Sequence, residues 1–172
     1  MISGTIQLTD FLSAQRLHRK PSKKIRVVYF VLFSFSVIAG SISLWLHHFV
    51  LGSAFLGAAI GGVIGESAVR YLYVPWWARR IYRQQKNLHE SFKYWWDIEQ
   101  LSGESKSGRG QRPWKHYTKW KENEDVFLVY HSDVLFEMVP KKWFKEPNQL
   151  NNFREHLQKY IVTKLLVRAD AV

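Results

Sequence analysis

The chain has 172 residues, a net charge of +11 at pH 7 and no cysteine. The missing thiol excludes disulfides, thiolate metal sites and a cysteine nucleophile, and it fits a reducing compartment. The basic excess suggests nucleic acid at first, but ten of the 25 Lys and Arg residues flank two apolar stretches, where anionic lipid accounts for them more simply.

In chain order, residues 4–8 alternate like a short strand, and Thr9 or Asp10 is placed to cap a short helix ending near His18. Pro21 and Ser22 stop that helix. Residues 27–46 then carry no charge, and as a helix they reach about 30 Å, the thickness of a bilayer core. A second apolar stretch, 49–74, follows after only His47 and His48 and is uncharged until Glu66. Roughly two dozen polar residues precede the first stretch, unlike a signal peptide. A buried helix pair of this length would need a larger soluble domain around it. The reading is therefore a transmembrane helical hairpin over 25–77, between a cytoplasmic N-terminal segment, 1–24, and a cytoplasmic region, 78–172.

The flanks set the orientation. Arg16, Arg19, Lys20, Lys23, Lys24 and Arg26 lie before the first span, Arg79, Arg80, Arg83 and Lys86 after the second, and the turn has no Lys or Arg. Basic flanks stay inside, so both termini are expected in the cytoplasm of a multi-pass inner-membrane protein. Lys20, Lys23, Lys24, Arg26, Arg79, Arg80, Arg83 and Lys86 are expected to contact anionic lipid. Tyr71, Tyr73, Trp76 and Trp77 suit the headgroup region, and Pro75 is expected to break or bend the helix.

The second span repeats small residues at Ser53, Gly57, Gly61 and Gly65, one helix face that lets backbones approach. The first reading is packing on the protein's own first span, against Ser36 and Gly40; packing between subunits is the other. Glu66 and Arg70 are four apart, which predicts an intramembrane ion pair, with ion handling or subunit contact as the alternative.

After the hairpin the pattern turns to strands. Residues 88–100 suit one bent strand or two short ones, 102–110 read as a flexible Ser/Gly loop, and 114–121 as a turn and strand. Val126–Tyr130 is a continuous apolar run, the mark of a central strand, and 134–139 is its hairpin partner. Pro147 then opens a helix over 148–166 whose apolar face is Leu150, Phe153, Leu157, Ile161 and Leu165. The fold class is α+β: a two-helix membrane hairpin plus a small antiparallel β domain closed by a C-terminal helix. The N-terminal strand, through Ile6 and Leu8, is expected to pack on that domain, because it is too short to stand alone.

Trp114, the strand pair 126–130 and 134–139, and Val139-Pro140-Lys141-Lys142-Trp143-Phe144 carry a resemblance. So does Gln7-Leu8-Thr9-Asp10-Phe11 near the start. Together they resemble the YcxB-like family of small bacterial membrane proteins. That resemblance implies a cytoplasmic part similar to bacterial pleckstrin-homology-like domains, and it brings no catalytic residues. The residues themselves suggest that Pro140 forces a turn, Lys141 and Lys142 are solvated, and Trp143 and Phe144 fill the gap under the last helix.

Catalytic and metal patterns are missing. His47 and His48 are adjacent and project apart; His18, His89, His116, His131 and His156 have no ligand spacing. Asp97 and Glu99 share a strand face, a weak acid–base signal. No P-loop, dinucleotide fingerprint or nucleophile elbow is present. No cofactor, metal or enzymatic activity is expected, and nucleic acid is not the expected partner. The expected function is a non-enzymatic membrane protein presenting its cytoplasmic domain to protein, peptide or lipid. The alternative is a homo-oligomer or transport-complex subunit assembled through the glycine stripe.

Overall fold

The computed structural model describes residues 1–162. The chain divides into two compact units, one of Arg19–Trp77 and one combining Met1–His18 with the chain from Ala78 onward.

The 19–77 unit is a helical hairpin. Helix α2 (Lys23–Trp45) starts at Ser22, whose hydroxyl accepts the Ile25 N–H, and α3 (Phe49–Ala68) returns. Between them the His47 N–H bonds the Leu44 carbonyl and the His48 N–H bonds the Ser43 carbonyl, with His47 at φ 65°. This is a Schellman ending built on a non-glycine residue. Close contact comes at Gly40 and Gly52: a Cβ on Gly52 would lie 2.6 Å from Leu44 Cγ, and one on Gly40 2.9 Å from Leu56 Cγ. Phe35 and Phe55 meet edge to face at 6.2 Å. The outward apolar side chains stay exposed, among them Phe30, Val50 and Trp45. Two helices, Lys23–Trp45 and Phe49–Gln84, are long and apolar enough to cross a membrane.

Pro75 does not end the second helix. A π-helical turn, Val69–Tyr73, precedes it, in which the Val74 N–H reaches back to the Val69 carbonyl, and α4 (Val74–Gln84) continues. The wider turn makes room for a ring that lacks an N–H.

In the other unit, β1 (Ile2–Thr5) pairs antiparallel with β2 (Ser91–Trp96), followed by β3 (Gln100–Ser105) and β4 (Gly108–Pro113), in the order β1-β2-β3-β4. A second sheet holds β5 (Lys119–Glu122), β6 (Val126–Tyr130) and β7 (Phe136–Pro140). Helix α5 (Pro147–Leu157) has Pro147 in its first turn and continues as a π-helical segment through Val162; the rest of the expected helix, with Leu165, lies outside the described residues. Phe153 of α5 is fully buried at the centre, within 4.8–6.3 Å of the rings of Trp96, Trp114, Phe127 and Phe144.

Helix α1 (Leu8–Arg19) belongs to this unit and buries Phe11, Ala14 and Leu17. Its cap differs from expectation: the Asp10 carboxylate accepts the Gln7 N–H at 2.7 Å, so Gln7 stands at the cap and Asp10 reaches back from the first turn. Tyr82 of α4 donates its hydroxyl to the Ile6 carbonyl and lies 5.9 Å from the Phe11 ring.

Residues 102–110 are not a flexible loop but the hairpin of β3 and β4. A glycine is required at 103 because it lies under the Tyr94 ring; a Cβ would sit 2.8 Å from it. The hairpin turn is pinned by Glu90, whose carboxylate accepts both the Ser107 N–H and its hydroxyl. The hydroxyl bond, with the backbone bond and Lys106 beside it, outweighs desolvation and holds the Glu90 carboxyl below its ordinary range.

Candidate functional site

The groups that meet in this domain are not those that sequence spacing picks out. Arg112 lies in β4, Tyr117 precedes β5, His131 follows β6, and Glu137 lies in β7. Glu137 Oε1 accepts the Tyr117 hydroxyl at 3.2 Å and lies 3.0 Å from His131 Nε2. Arg112 Nη1 is 2.9 Å from His131 Nδ1. A guanidinium only donates, so Nδ1 accepts and Nε2 carries the proton given to Glu137. The imidazole is therefore neutral. Burial and the Arg112 charge lower its pKa in the same sense. Burial raises the Glu137 carboxyl, opposed by the Tyr117 hydroxyl and Arg112. Burial, with Glu137 nearby, also lifts Tyr117 and Tyr94 well above the ordinary phenol range, so both keep their protons.

Glu137 and Arg112 stand at a groove of about 200 Å³ walled by Phe92, Tyr94 and Leu101, with bare backbone at Gly103 and Gly110. The neighbouring β4 is a sheet edge in the strand order, and it is solvent-exposed from Gly108 to Arg112. The arrangement offers an acceptor carboxylate, aromatic walls and a strand edge that is unpaired among the described residues, which suits binding. Among the described residues no group of three or more His, Asp and Glu side chains is placed to hold a metal.

The pH dependence divides by sign. His131 has a lowered folded pKa, so the unfolded chain binds its proton more tightly and stability falls as pH drops below about 6.5. Glu137 has a raised folded pKa, so its ionisation opposes folding, and that loss is regained as pH falls through the raised value. Glu137→Gln keeps an acceptor for Tyr117 and His131 without the buried charge. We expect it to raise the melting temperature at pH 7–8 and to leave the His131-dependent fall below pH 6.5; a lower melting temperature at pH 8 would contradict this burial.

A second cluster is structural. Arg154 grips Glu122 through Nε–Oε2 at 3.0 Å and Nη2–Oε1 at 2.6 Å, and Lys141 Nζ meets Glu122 Oε1 at 2.5 Å. Lys142 pairs with the buried Asp10 at 2.8 Å. Lys141 and Lys142, expected in solvent, instead tie β7 to β5 and to α1. Trp143 is buried and stacks on Tyr94 at 6.2 Å and Phe92 at 6.5 Å.

Residues 96–157 match the family described as YcxB-like protein. This stretch is similar to that family. It runs from the last residue of β2 through α5 and contains Arg112, Tyr117, His131 and Glu137, as well as Trp114 and the Pro140–Phe144 segment. The 7–11 segment, which also carried the resemblance, lies outside the match. No curated protein and no solved structure matches the chain.

The residues singled out from sequence lie elsewhere. Lys20, Lys23, Lys24, Arg26, Arg79, Arg80, Arg83 and Lys86 are all exposed. Gly57, Gly61 and Gly65 have nothing within 4 Å of a built Cβ among the described residues, and Ser53 turns its hydroxyl to the Val50 carbonyl. The stripe therefore does not pack on the first span: the contact face is one residue over, at Gly52, and it meets Gly40. The Glu66–Arg70 ion pair is also not formed among the described residues; Arg70 sits 5.6 Å from the Tyr71 ring. Asp97 is a turn former, accepting the N–H groups of Glu99 and Gln100, and is not paired with Glu99 as a catalytic carboxylate.

Sequence did hold one signal for the site. Glu137 is the lone charge in an otherwise apolar run from Val134 to Val139. A charge within such a run requires a partner, and the partners are supplied by other elements.

Proposed function

We propose that this protein is a non-enzymatic membrane module that binds an extended peptide segment of a partner protein at the cytoplasmic face. The hairpin crosses the inner membrane twice with both ends inside, and the eight exposed basic residues beside it contact anionic headgroups. The observation that carries the binding reading is the exposed β4 edge beside the Glu137 groove. An added strand gains main-chain hydrogen bonds from the edge, and a donor side chain from the peptide reaches the carboxylate. The domain is similar in plan to pleckstrin-homology-like domains, two antiparallel sheets closed by one helix. Membrane lipid and a protein partner are the ligands of this reading; nucleic acid, metal and cofactor play no part in it.

The test is a photo-crosslinker at Gln111, exposed on β4, in native membranes. A discrete adduct that disappears with Glu137→Lys, in a variant that still folds, is the expected result. Absence of any adduct at Gln111 would remove the peptide reading. A reagent that cannot cross membranes should label His48→Cys in spheroplasts and Ser107→Cys only after lysis. The reverse pattern would overturn the orientation.

A second reading rests on the open face at Gly57, Gly61 and Gly65, which suits a copy of the same helix. A crosslinker at Gly61 giving an adduct of twice the chain mass would favour this oligomeric assembly.

A further inference from the structure

The turn between β6 and β7 projects two apolar side chains that no described residue of its own domain covers: Val134 is 79% exposed and Leu135 57%. The turn is internally tied. The His131 N–H bonds the Leu135 carbonyl at 2.9 Å, and Ser132 Oγ accepts the Leu135 N–H at 3.1 Å. Its base is held to the end of α1. His18 Nδ1 is 3.1 Å from the Tyr130 hydroxyl, and the His18 ring lies 4.9 Å from Phe136. Lys121 Nζ also reaches the His18 carbonyl at 3.1 Å.

His18 is the last residue of this unit before the chain leaves it, and the 23-residue apolar helix begins at Lys23. Five residue steps span at most about 18 Å when fully extended. The chain re-enters the domain at Ala78, within α4, which continues the second apolar helix without a linker. The tip thus stands beside His18, the point at which the chain leaves the domain, and at most about 18 Å of chain separates that point from Lys23. Two bulky aliphatic side chains held outward there suit the boundary of headgroups and acyl chains.

We infer that the β6–β7 tip, through Val134 and Leu135, inserts into the cytoplasmic face of the lipid bilayer and holds the domain against it. This rests on the reading that the hairpin spans the membrane. The occupant of the apolar tip is lipid, reached by chain tethering, and not a protein partner.

The natural chain has no cysteine, so single cysteines report one site each. Full-length protein carrying Val134→Cys, Leu135→Cys, Leu32→Cys or Lys106→Cys would be labelled with an environment-sensitive nitrobenzoxadiazole and placed in phosphatidylethanolamine–phosphatidylglycerol vesicles containing nitroxide-labelled acyl chains. Leu32 lies within α2 and Lys106 at the β3–β4 turn. Labels at 134, 135 and 32 should be quenched about twofold or more, and the label at 106 should not. Quenching at 32 with none at 134 and 135 would overturn the inference and leave the spanning hairpin intact. No quenching at 32 would overturn the spanning reading and this inference with it. Equal quenching at 106 and 134 would also overturn it, because the contact would not belong to the tip. Melting curves that match the parent's exclude misfolding of the labelled variants as the cause.

Discussion

Gly4→Val should detach the N-terminal strand from the domain. Gly4 pairs with Phe92 across β1 and β2, and a Cβ there would lie 2.2 Å from Trp143 Nε1 and 2.5 Å from Trp143 Cδ1. The indole has no free space to yield into, because it stacks on Tyr94 and Phe92 and is 6% exposed. Overpacking of this kind costs about 1–3 kcal/mol, and the backbone register of β1 with β2 is lost if the strand is displaced. Thermal unfolding of the full chain in mild detergent would show a lower, broader transition. The same substitution in a Trp143→Leu background should cost less than half as much, since the obstructing ring is gone. If Gly4→Val melts like the parent, β1 is not docked under Trp143. The result bears on function as well as stability, because β1 is the outer neighbour of β2, whose Phe92 and Tyr94 wall the groove.

Glu122→Ala should be costly for a different reason. It leaves Arg154 and Lys141 facing each other without their shared carboxylate, with side chains only 29% and 17% exposed. Breaking a fully buried pair costs about 3–5 kcal/mol, and partial exposure here reduces the expectation to about 2. Replacing Glu122 and Arg154 together with leucines should cost less than Glu122→Ala alone, since one cation, Lys141, is then left without the carboxylate instead of two. Burial by itself would raise the Glu122 carboxyl, but the hydrogen bonds and charges of Arg154 and Lys141 outweigh it and hold it below the ordinary range. A depressed folded pKa contributes stability above the unfolded value, and that contribution is lost as pH falls through the folded one. Acid unfolding of the Glu122→Ala variant should therefore be shallower below about pH 4.5 than that of the parent. Equal acid slopes would show that this triad contributes nothing to the pH dependence.

The positions of the elements were legible wherever the signal was local. The two apolar runs announce long helices because burial or lipid is the only environment that tolerates them, and α2 and α3 fall on them. The apolar run Val126–Tyr130 is β6, and every one of its residues is buried. The spacing of Phe153, Leu157 and Ile161 is that of a covering helix, and all three are buried to 0% exposure.

What failed locally did so because a neighbour supplied the reason. Residues 102–110 look like a linker by composition, yet they form a strand hairpin in which Gly103 is the residue that the Tyr94 ring allows beside it. Lys141 and Lys142 look solvated because their acids, Glu122 and Asp10, are far away in sequence. Glu66 and Arg70 are four apart on a helix, but Arg70 sits over the Tyr71 ring instead. The Arg112–His131–Glu137–Tyr117 network has no spacing rule at all, because each member comes from a different segment and only the packing of two sheets brings them together. Local chemistry determined which segments are helix, strand and hairpin; the tertiary structure decided which charges are paired and where the groove lies. Hydrophobic periodicity is written along the chain, whereas partnership between polar groups exists only after the chain has folded back on itself.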